Sequence, residues 1–201
     1  NWHIIDLGAG SGSNLRYLSP RVPGAQHWTL VDHDPRLLAV AAQYAAPPTV
    51  TLDLRTLDLA REFSASRGDL TLPTGALVTA SALLDLVSPD WIDALALRCR
   101  SARASVHFAL SYDGRTTCEP IDPLDAAILE HVNRHQRFDK GFGPALGPEA
   151  AQYCAGAFTR AGYTMRRARS DWQIDATHAA VQAALIEGWA DAAIEMSAAP
   201  G

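Results

Sequence analysis

The sequence predicts an α/β fold, a doubly wound and mostly parallel sheet with helices on both faces. Short apolar runs alternate with helical patterns through the first half of the 201-residue chain, and this alternation is typical of right-handed βαβ units. The first apolar run ends in a glycine-rich turn that leads directly into a helical pattern. A chain of this length can bury one sizeable core, so we expect residues 1–201 to form a single domain.

The predicted elements follow one another at short spacing. Strands are predicted at five apolar runs of the first half: 2–7, 27–32, 49–54, 76–81 and 104–110. Helices are predicted at 13–18, from Pro35 onward, and at 90–100, 123–137, 149–161 and 176–196. Ser13 suits a helix N-cap and Pro35 suits a first helical turn. A further strand is predicted at 163–169. The chain opens on a strand and closes on a helix, so we expect both ends to be truncated.

The composition argues against several classes of function. A net charge of -5 disfavours nucleic acid as the main partner, because phosphate binding requires a basic surface. No apolar run reaches the roughly 18 residues of a membrane span and no signal-peptide pattern is visible, so we expect a cytoplasmic protein without membrane contact. Cys99, Cys118 and Cys154 form no metal-ligand pattern, so we expect free thiols and no metal site. The oligomeric state stays open.

The strongest functional signal is a glycine-rich loop after the first strand. Residues 6–13 read Asp-Leu-Gly-Ala-Gly-Ser-Gly-Ser. Glycines allow a tight turn and let a ligand approach the backbone, and the following helix start offers free N–H groups. A dinucleotide site has the spacing G-x-G-x-x-G, whereas this loop has the spacing G-x-G-x-G. Ser13 occupies the position at which a dehydrogenase has its third glycine. A purely structural glycine turn is the alternative.

Further polar residues stand where the following strands end. Asp32 closes the second strand about 20 residues beyond the loop, where a carboxylate can accept hydrogen bonds from both hydroxyls of a ribose. Asp58 follows the third strand, with Asp53 as an alternative and a helix N-cap as its structural explanation. Ser81 ends the fourth strand, and Asp85 lies shortly after it.

As a set, these residues resemble the motifs of class I S-adenosylmethionine-dependent methyltransferases. The resemblance covers residues 2–111, and 148–170 more loosely. It implies a Rossmann-like methyltransferase fold, S-adenosylmethionine as the cofactor, and a loop that holds the amino-acid part of that cofactor. The positions that it implies for cofactor binding are Asp6, Gly8, Ala9, Gly10, Gly12, Asp32, His33, Asp58, Leu59 and Ser81.

Within this resemblance, Asp32 would bind the ribose, and His33 and Asp58-Leu59 would contact the adenine. The Asn/Asp-Pro-Pro-Tyr/Phe signature of nucleic-acid amino-methylating enzymes is absent from the sequence. We therefore expect methyl transfer to a small-molecule acceptor. The alternatives are an NAD(P)-binding oxidoreductase and a module that binds S-adenosylmethionine without transferring its methyl group.

Residues 112–147 are predicted to form an insertion on the substrate side of the domain. They follow the fifth strand, on the edge where α/β sheets bind ligands. The candidate catalytic residues are Asp85, Tyr112 and His135; the imidazole of His135 can take a proton from a nucleophile, and the arginines beside it can bind a carboxylate or phosphate. A solvated helix face running into a loop is the alternative for the segment around His135.

Overall fold

A five-stranded parallel sheet organises the chain. The structure, a computed structural model, describes residues 1–63, 68–109 and 111–198. The strands are β1 (Trp2–Leu7), β2 (Gln26–Asp32), β3 (Val50–Thr56), β4 (Leu77–Ser81) and β5 (Ser105–Ala109), in the order β3-β2-β1-β4-β5. All four neighbouring pairs are parallel. The predicted α/β class is confirmed, and within the described residues the sheet is wholly parallel.

Helices follow the strands and cover both faces of the sheet. They are α1 (Ser13–Leu18), α2 (Pro35–Ala41), α3 (Leu59–Glu62), α4 (Pro89–Ser101), α5 (Asp125–His135), α6 (Ala150–Arg160) and α7 (Ala179–Ala198). Short 3-10 turns lie at 19–21, 84–86, 147–149 and 176–178. The observed bounds differ from the predicted ones by a few residues, as when α5 ends at His135 and not at Arg137. Helix ends fray and are the least specified part of a helical pattern.

Each face of the sheet carries its own hydrophobic core. Because successive strand residues point to opposite faces, β1 contributes to both: Ile4 packs in one core and Ile5 and Leu7 in the other. The first core is formed with α1 and α2, and includes the fully buried Trp28. The second core includes side chains of α3, α4 and α6, among them the fully buried Phe158. Both cores fix the central strand, whose carboxyl end leads into the glycine loop.

Residues 163–169 do not form the predicted strand. Tyr163 still packs on the second core, and its hydroxyl donates to the carbonyl of Ala104 at 2.9 Å. Beyond Met165, which also contacts that core, residues 166–170 are exposed and rich in arginine. A strand in a sheet of this class is buried on both faces, and arginine side chains do not meet that requirement.

The buried Gln26 side chain provides a test of the fold. Its Nε2 donates to the carbonyls of Ser19 and Val22, and its Oε1 accepts from the indole of Trp28 at 2.8 Å. We expect Gln26→Ala to lower the free energy of unfolding by roughly 2–4 kcal/mol, because three buried polar groups lose their partner. Urea denaturation measures this change. The exposed Gln43 is the control, and Gln43→Ala should cost less than about 0.5 kcal/mol; equal costs would contradict the prediction.

Candidate active site

The predicted site residues lie along one edge of the sheet. Because all five strands run in the same direction, the segments that follow them meet at the carboxyl edge. The strand order reverses at β1, from which the chain moves outward to β2 and later returns to β4. In open α/β sheets, the crevice for a ligand lies at this switch point. The glycine loop after β1 and the end of β4 border it here.

The glycine loop bends back towards the end of β2. Its three glycines have positive φ angles of 66°, 52° and 84°, which favour glycine. The N–H of Ala9 donates to the carbonyl of Val31 at 3.0 Å. A Cβ at Gly12 would stand 3.0 Å from the Cβ of Ala41, whereas a Cβ at Gly10 would meet nothing within 4 Å. Gly12 therefore packs the loop against α2, and Gly10 leaves open space beside the backbone.

The carboxylate of Asp32 is fixed against this loop. Its Oδ2 accepts from the N–H of Gly10 at 2.8 Å and its Oδ1 accepts from the N–H of Asp34 at 2.9 Å. The side chain is only 8% exposed, while the neighbouring His33 side chain is 83% exposed, with its Nδ1 3.4 Å from Oδ1. A carboxylate has about four acceptor positions. Each Asp32 oxygen therefore keeps one position for a further donor.

A second carboxylate, that of Asp6, lies fully buried at the end of β1. Its Oδ1 accepts from Nδ2 of Asn14 at 2.8 Å, and the same amide donates to Oγ1 of Thr79 at 3.0 Å. Its Oδ2 has no hydrogen-bond partner among the described residues. Burial raises the pKa of Asp6 to about 7, while the Asn14 hydrogen bond lowers it and the charge of Asp32 raises it further. Asn14 was not among the predicted residues, because its contact with Thr79 spans 65 positions of the sequence and leaves no local pattern.

Asp58 and Asp53, the two candidates for binding the adenine, occupy different positions relative to the end of β3. Asp58 follows the carboxyl end of β3 and caps α3, where its Oδ1 accepts from the N–H of Ala60 at 3.0 Å. Leu59 is buried beside it. Asp53 lies within β3 and pairs with Arg55 at 2.9 Å. Asp58 is thus at the carboxyl edge and Asp53 is not.

Two clefts flank this end of the sheet. One, of about 330 Å³, is lined by residues 56–58, 61–62 and 68–69 and therefore includes Asp58. The other, of about 500 Å³, is lined by aromatic rings of Phe63, Trp91 and Phe142. Its lining residues belong to α3, to the first turns of α4 and to the loop around Phe142, so it lies apart from the glycine loop. Of the two, only the smaller cleft is lined by a predicted cofactor residue, Asp58.

The end of β4 packs directly against the glycine loop. Ser81, the last residue of β4, is half-buried. Ala82 adopts a positive φ of 55°, which costs a non-glycine residue roughly 1–2 kcal/mol. Leu83 then turns its side chain onto the loop, where a Cβ at Gly8 would stand 3.4 Å from Cδ1. Strained backbone of this kind is concentrated at functional sites.

Asp85 and Tyr112 come together beside β4 and β5. The carboxylate of Asp85 is 9% exposed, and its Oδ1 has no hydrogen-bond partner among the described residues. Burial raises the pKa of Asp85, and neighbouring backbone N–H groups, including that of Tyr112, lower it. Burial also raises the pKa of Tyr112, as do the charges of Asp113 and Asp85. The phenol of Tyr112 donates to Oδ1 of Asn133 at 2.8 Å, and Asn133 donates to the carbonyl of Gly114. Asn133 was not among the predicted residues.

His135 is directed away from that pair. Its Nε2 lies 3.0 Å from Oε2 of Glu195 on α7, and its ring packs edge-on against Phe138. Arg137, its neighbour on the same segment, bonds to Glu149. Asp85 and Tyr112 are therefore in contact, whereas His135 belongs to the contact between α5 and α7.

No group of histidine, cysteine, aspartate or glutamate residues within 1–63, 68–109 and 111–198 is arranged to hold a metal ion. None of the helices in these ranges combines the length and the apolar character needed to cross a membrane.

Solved structures resemble this chain in fold. An S-adenosylmethionine-dependent methyltransferase from Methanosarcina mazei superposes with a TM-score of 0.53 at 12% identity, covering 87% of this chain and 85% of that chain. One from Mesorhizobium loti gives 0.50 at 17% identity, covering 92% and 84%. The cyclopropane synthase MmaA2 from Mycobacterium tuberculosis gives 0.56 at 12% identity, covering 96% and 62%.

These likenesses confirm the Rossmann-like methyltransferase fold that the sequence resemblance implied. The chain spans 56%, 57% and 62% of the length of three of the structures that it matches. No protein-family model matches the sequence, and a search of curated proteins finds no match.

The buried Asp6 carboxyl predicts a pH dependence of stability. Its pKa of about 7 in the folded chain lies above the ordinary value of 3.8, so the folded protein keeps a proton that the unfolded chain releases. The free energy of unfolding should therefore fall as the pH rises from about 4 to 7, and each unit of pKa difference corresponds to about 1.4 kcal/mol. In Asp6→Asn the decline should be shallower, as measured by urea denaturation at several pH values.

The control for Asp6→Asn is Glu130→Gln, which removes an exposed carboxylate of α5 and should keep the wild-type slope. Parallel profiles for the wild type and Asp6→Asn would show that Asp6 does not titrate in this range.

Proposed function

We propose that this protein binds S-adenosylmethionine at the carboxyl edge of the sheet and transfers its methyl group to a small-molecule acceptor. The observation that carries this proposal is the juxtaposition of Gly10, which leaves open space beside the backbone, with the Asp32 carboxylate 2.8 Å from its N–H. The fold likeness to structures described as S-adenosylmethionine-dependent methyltransferases supports it.

The residues present fit the parts of this cofactor. Asp32 has free acceptor positions for two ribose hydroxyls, and the exposed His33 stands beside it to flank the base. Residues 8–12 provide a bare stretch of backbone for the amino-acid part, with Gly8, Ala9, Gly10 and Gly12 among them. The unpartnered Oδ2 of Asp6 suits the ammonium of that part.

On the adenine side, Asp58 and Leu59 follow β3, and Asp58 lines a cleft of about 330 Å³. A carboxylate there can accept from the exocyclic amine of the base, and the buried Leu59 side chain supplies an apolar wall. Ser81 would line the pocket at the neighbouring end of β4.

Methyl transfer requires mainly that the protein align the reacting groups. S-adenosylmethionine supplies a methyl group that its cationic sulfur already activates for in-line displacement. When the protein holds the acceptor atom in line with the methyl group and the sulfur, most of the entropic part of the activation barrier is removed. Asp85 and Tyr112, on the β4 and β5 side, are the candidates for acceptor contact; His135 would need to leave Glu195 to act there. A small-molecule acceptor agrees with the net charge of -5, because binding of nucleic acid requires a basic surface.

Removal of the ribose-binding carboxylate tests the cofactor proposal. We expect Asp32→Ala to weaken binding of S-adenosylmethionine and S-adenosylhomocysteine by more than about tenfold, since two charge-assisted hydrogen bonds are lost. Isothermal titration calorimetry measures this. NAD and NADP serve as competing ligands for the oxidoreductase alternative. Wild-type affinity in Asp32→Ala, or a preference for either dinucleotide, would rule the proposal out.

The choice between Asp58 and Asp53 has its own test. Asp58→Asn should weaken S-adenosylhomocysteine binding by about three- to tenfold. The variant's side-chain NH₂ group would face the adenine amine, and because both are donors the hydrogen bond between side chain and base is lost. Asp53→Asn, the matched change within β3, should leave the affinity unchanged. The reverse result would assign the adenine to Asp53.

A further inference from the structure

The carboxyl edge is divided into two halves by the strand order. Gly10, Asp32 and Asp58 follow β1, β2 and β3 on one half, while Asp85 and Tyr112 follow β4 and β5 on the other. The two halves meet where β1 pairs with β4, with Leu7 opposite Ala80. If the cofactor lies over the first half, as proposed above, the atom that receives its methyl group approaches from the second.

Asp85 is the buried acid of this second half. About nine-tenths of its surface is covered, and its Oδ1 has no hydrogen-bond partner among the described residues. Leaving a buried acceptor unpaired costs roughly 1–3 kcal/mol, and native structures rarely keep such an atom without a functional reason. A donor supplied by a ligand would satisfy it.

The surroundings of Asp85 indicate which kind of ligand fits. The groups that affect the pKa of its carboxyl besides burial are backbone N–H groups, its own and that of Tyr112. Two basic side chains of the substrate-side segment are bound to other acids, His135 to Glu195 and Arg137 to Glu149. An anionic acceptor would therefore face a carboxylate, whereas a neutral hydroxyl or amine can donate to it.

We propose that Oδ1 of Asp85 accepts a hydrogen bond from the hydroxyl or amine of the methyl acceptor and receives its proton during transfer. The inference rests on the function proposed above. The acceptor atom forms a bond to the methyl carbon as the carbon–sulfur bond breaks, and the sulfur keeps that electron pair and becomes neutral. The acceptor proton passes to Asp85, which then releases it to water.

The raised pKa of Asp85 supports this role, because a carboxylate whose pKa lies closer to neutrality is a better proton acceptor. Tyr112 is a positioning residue in this arrangement. Its phenol donates to Oδ1 of Asn133, which in turn donates to the carbonyl of Gly114. The loop after β5, which lies beside Asp85, is thereby tied to α5.

Two nucleosides distinguish this inference from the cofactor proposal without knowledge of the acceptor. Sinefungin carries an amine where S-adenosylmethionine carries its methyl group, and S-adenosylhomocysteine carries nothing there. We expect Asp85→Asn to weaken sinefungin binding by about tenfold or more, because a charge-assisted hydrogen bond is lost. S-adenosylhomocysteine binding should change by less than about twofold. Calorimetric titration of both ligands measures the difference.

Asp191→Asn, on the exposed surface of α7, is the control and should alter neither affinity. Asp85→Ala provides a second variant with the same expected selectivity, and thermal unfolding verifies that both variants are folded. Equal effects of either substitution on the two nucleosides, or no effect on both, would overturn the role of Asp85 alone. Failure of the wild type to bind either nucleoside would overturn the proposed function, and this inference with it.

Discussion

The hydrogen bond from Gly10 to Asp32 is the interaction on which the candidate site depends. It joins the loop after the central strand to the end of the next strand, across a distance of 2.8 Å. A hydrogen bond to a charged acceptor contributes about 1.5–3 kcal/mol, which offsets part of the entropy lost by ordering a glycine-rich segment. Because the N–H of Ala9 also bonds to Val31, the loop is held at two points of β2 and its open side faces away from the sheet.

The same edge concentrates negative charge in poorly solvated positions. Asp6 and Asp32 lie close enough for the charge of one to raise the pKa of the other, and Asp85 is buried beyond the adjacent strand. Like charges in such an environment repel strongly. A cationic ligand relieves that repulsion, whereas an anionic dinucleotide increases it. The charge at this edge therefore favours a sulfonium nucleoside over a pyrophosphate, independently of the glycine spacing.

Local sequence patterns predicted most strands and helices, but they did not predict the contacts between residues that are distant in the sequence. The strand–loop–helix order around residues 6–13 depends on residues close in sequence, so both the fold class and the glycine loop could be predicted. Asn14 reaches Thr79 across 65 positions, and such a contact leaves no local signal. Residues 163–169 have strand-like alternation only as far as Met165, after which exposed arginines end it. His135 carried suitable chemistry, but its direction is set by the packing of α5 on α7, which no local pattern specifies.

Two buried carboxylate oxygens without a hydrogen-bond partner in the described part of the chain lie near the carboxyl edge of the sheet. Among the described residues, three buried side-chain atoms lack a hydrogen-bond partner, and two of them are Oδ2 of Asp6 and Oδ1 of Asp85. The third, Nδ1 of His135, belongs to the α5–α7 contact. The strained Ala82 lies between β4 and the turn that carries Asp85. A scaffold optimised for stability alone would place partners at these atoms and glycine at this φ angle. These features coincide on both sides of the β1–β4 junction, which is where the proposed function requires the cofactor and the methyl acceptor to meet.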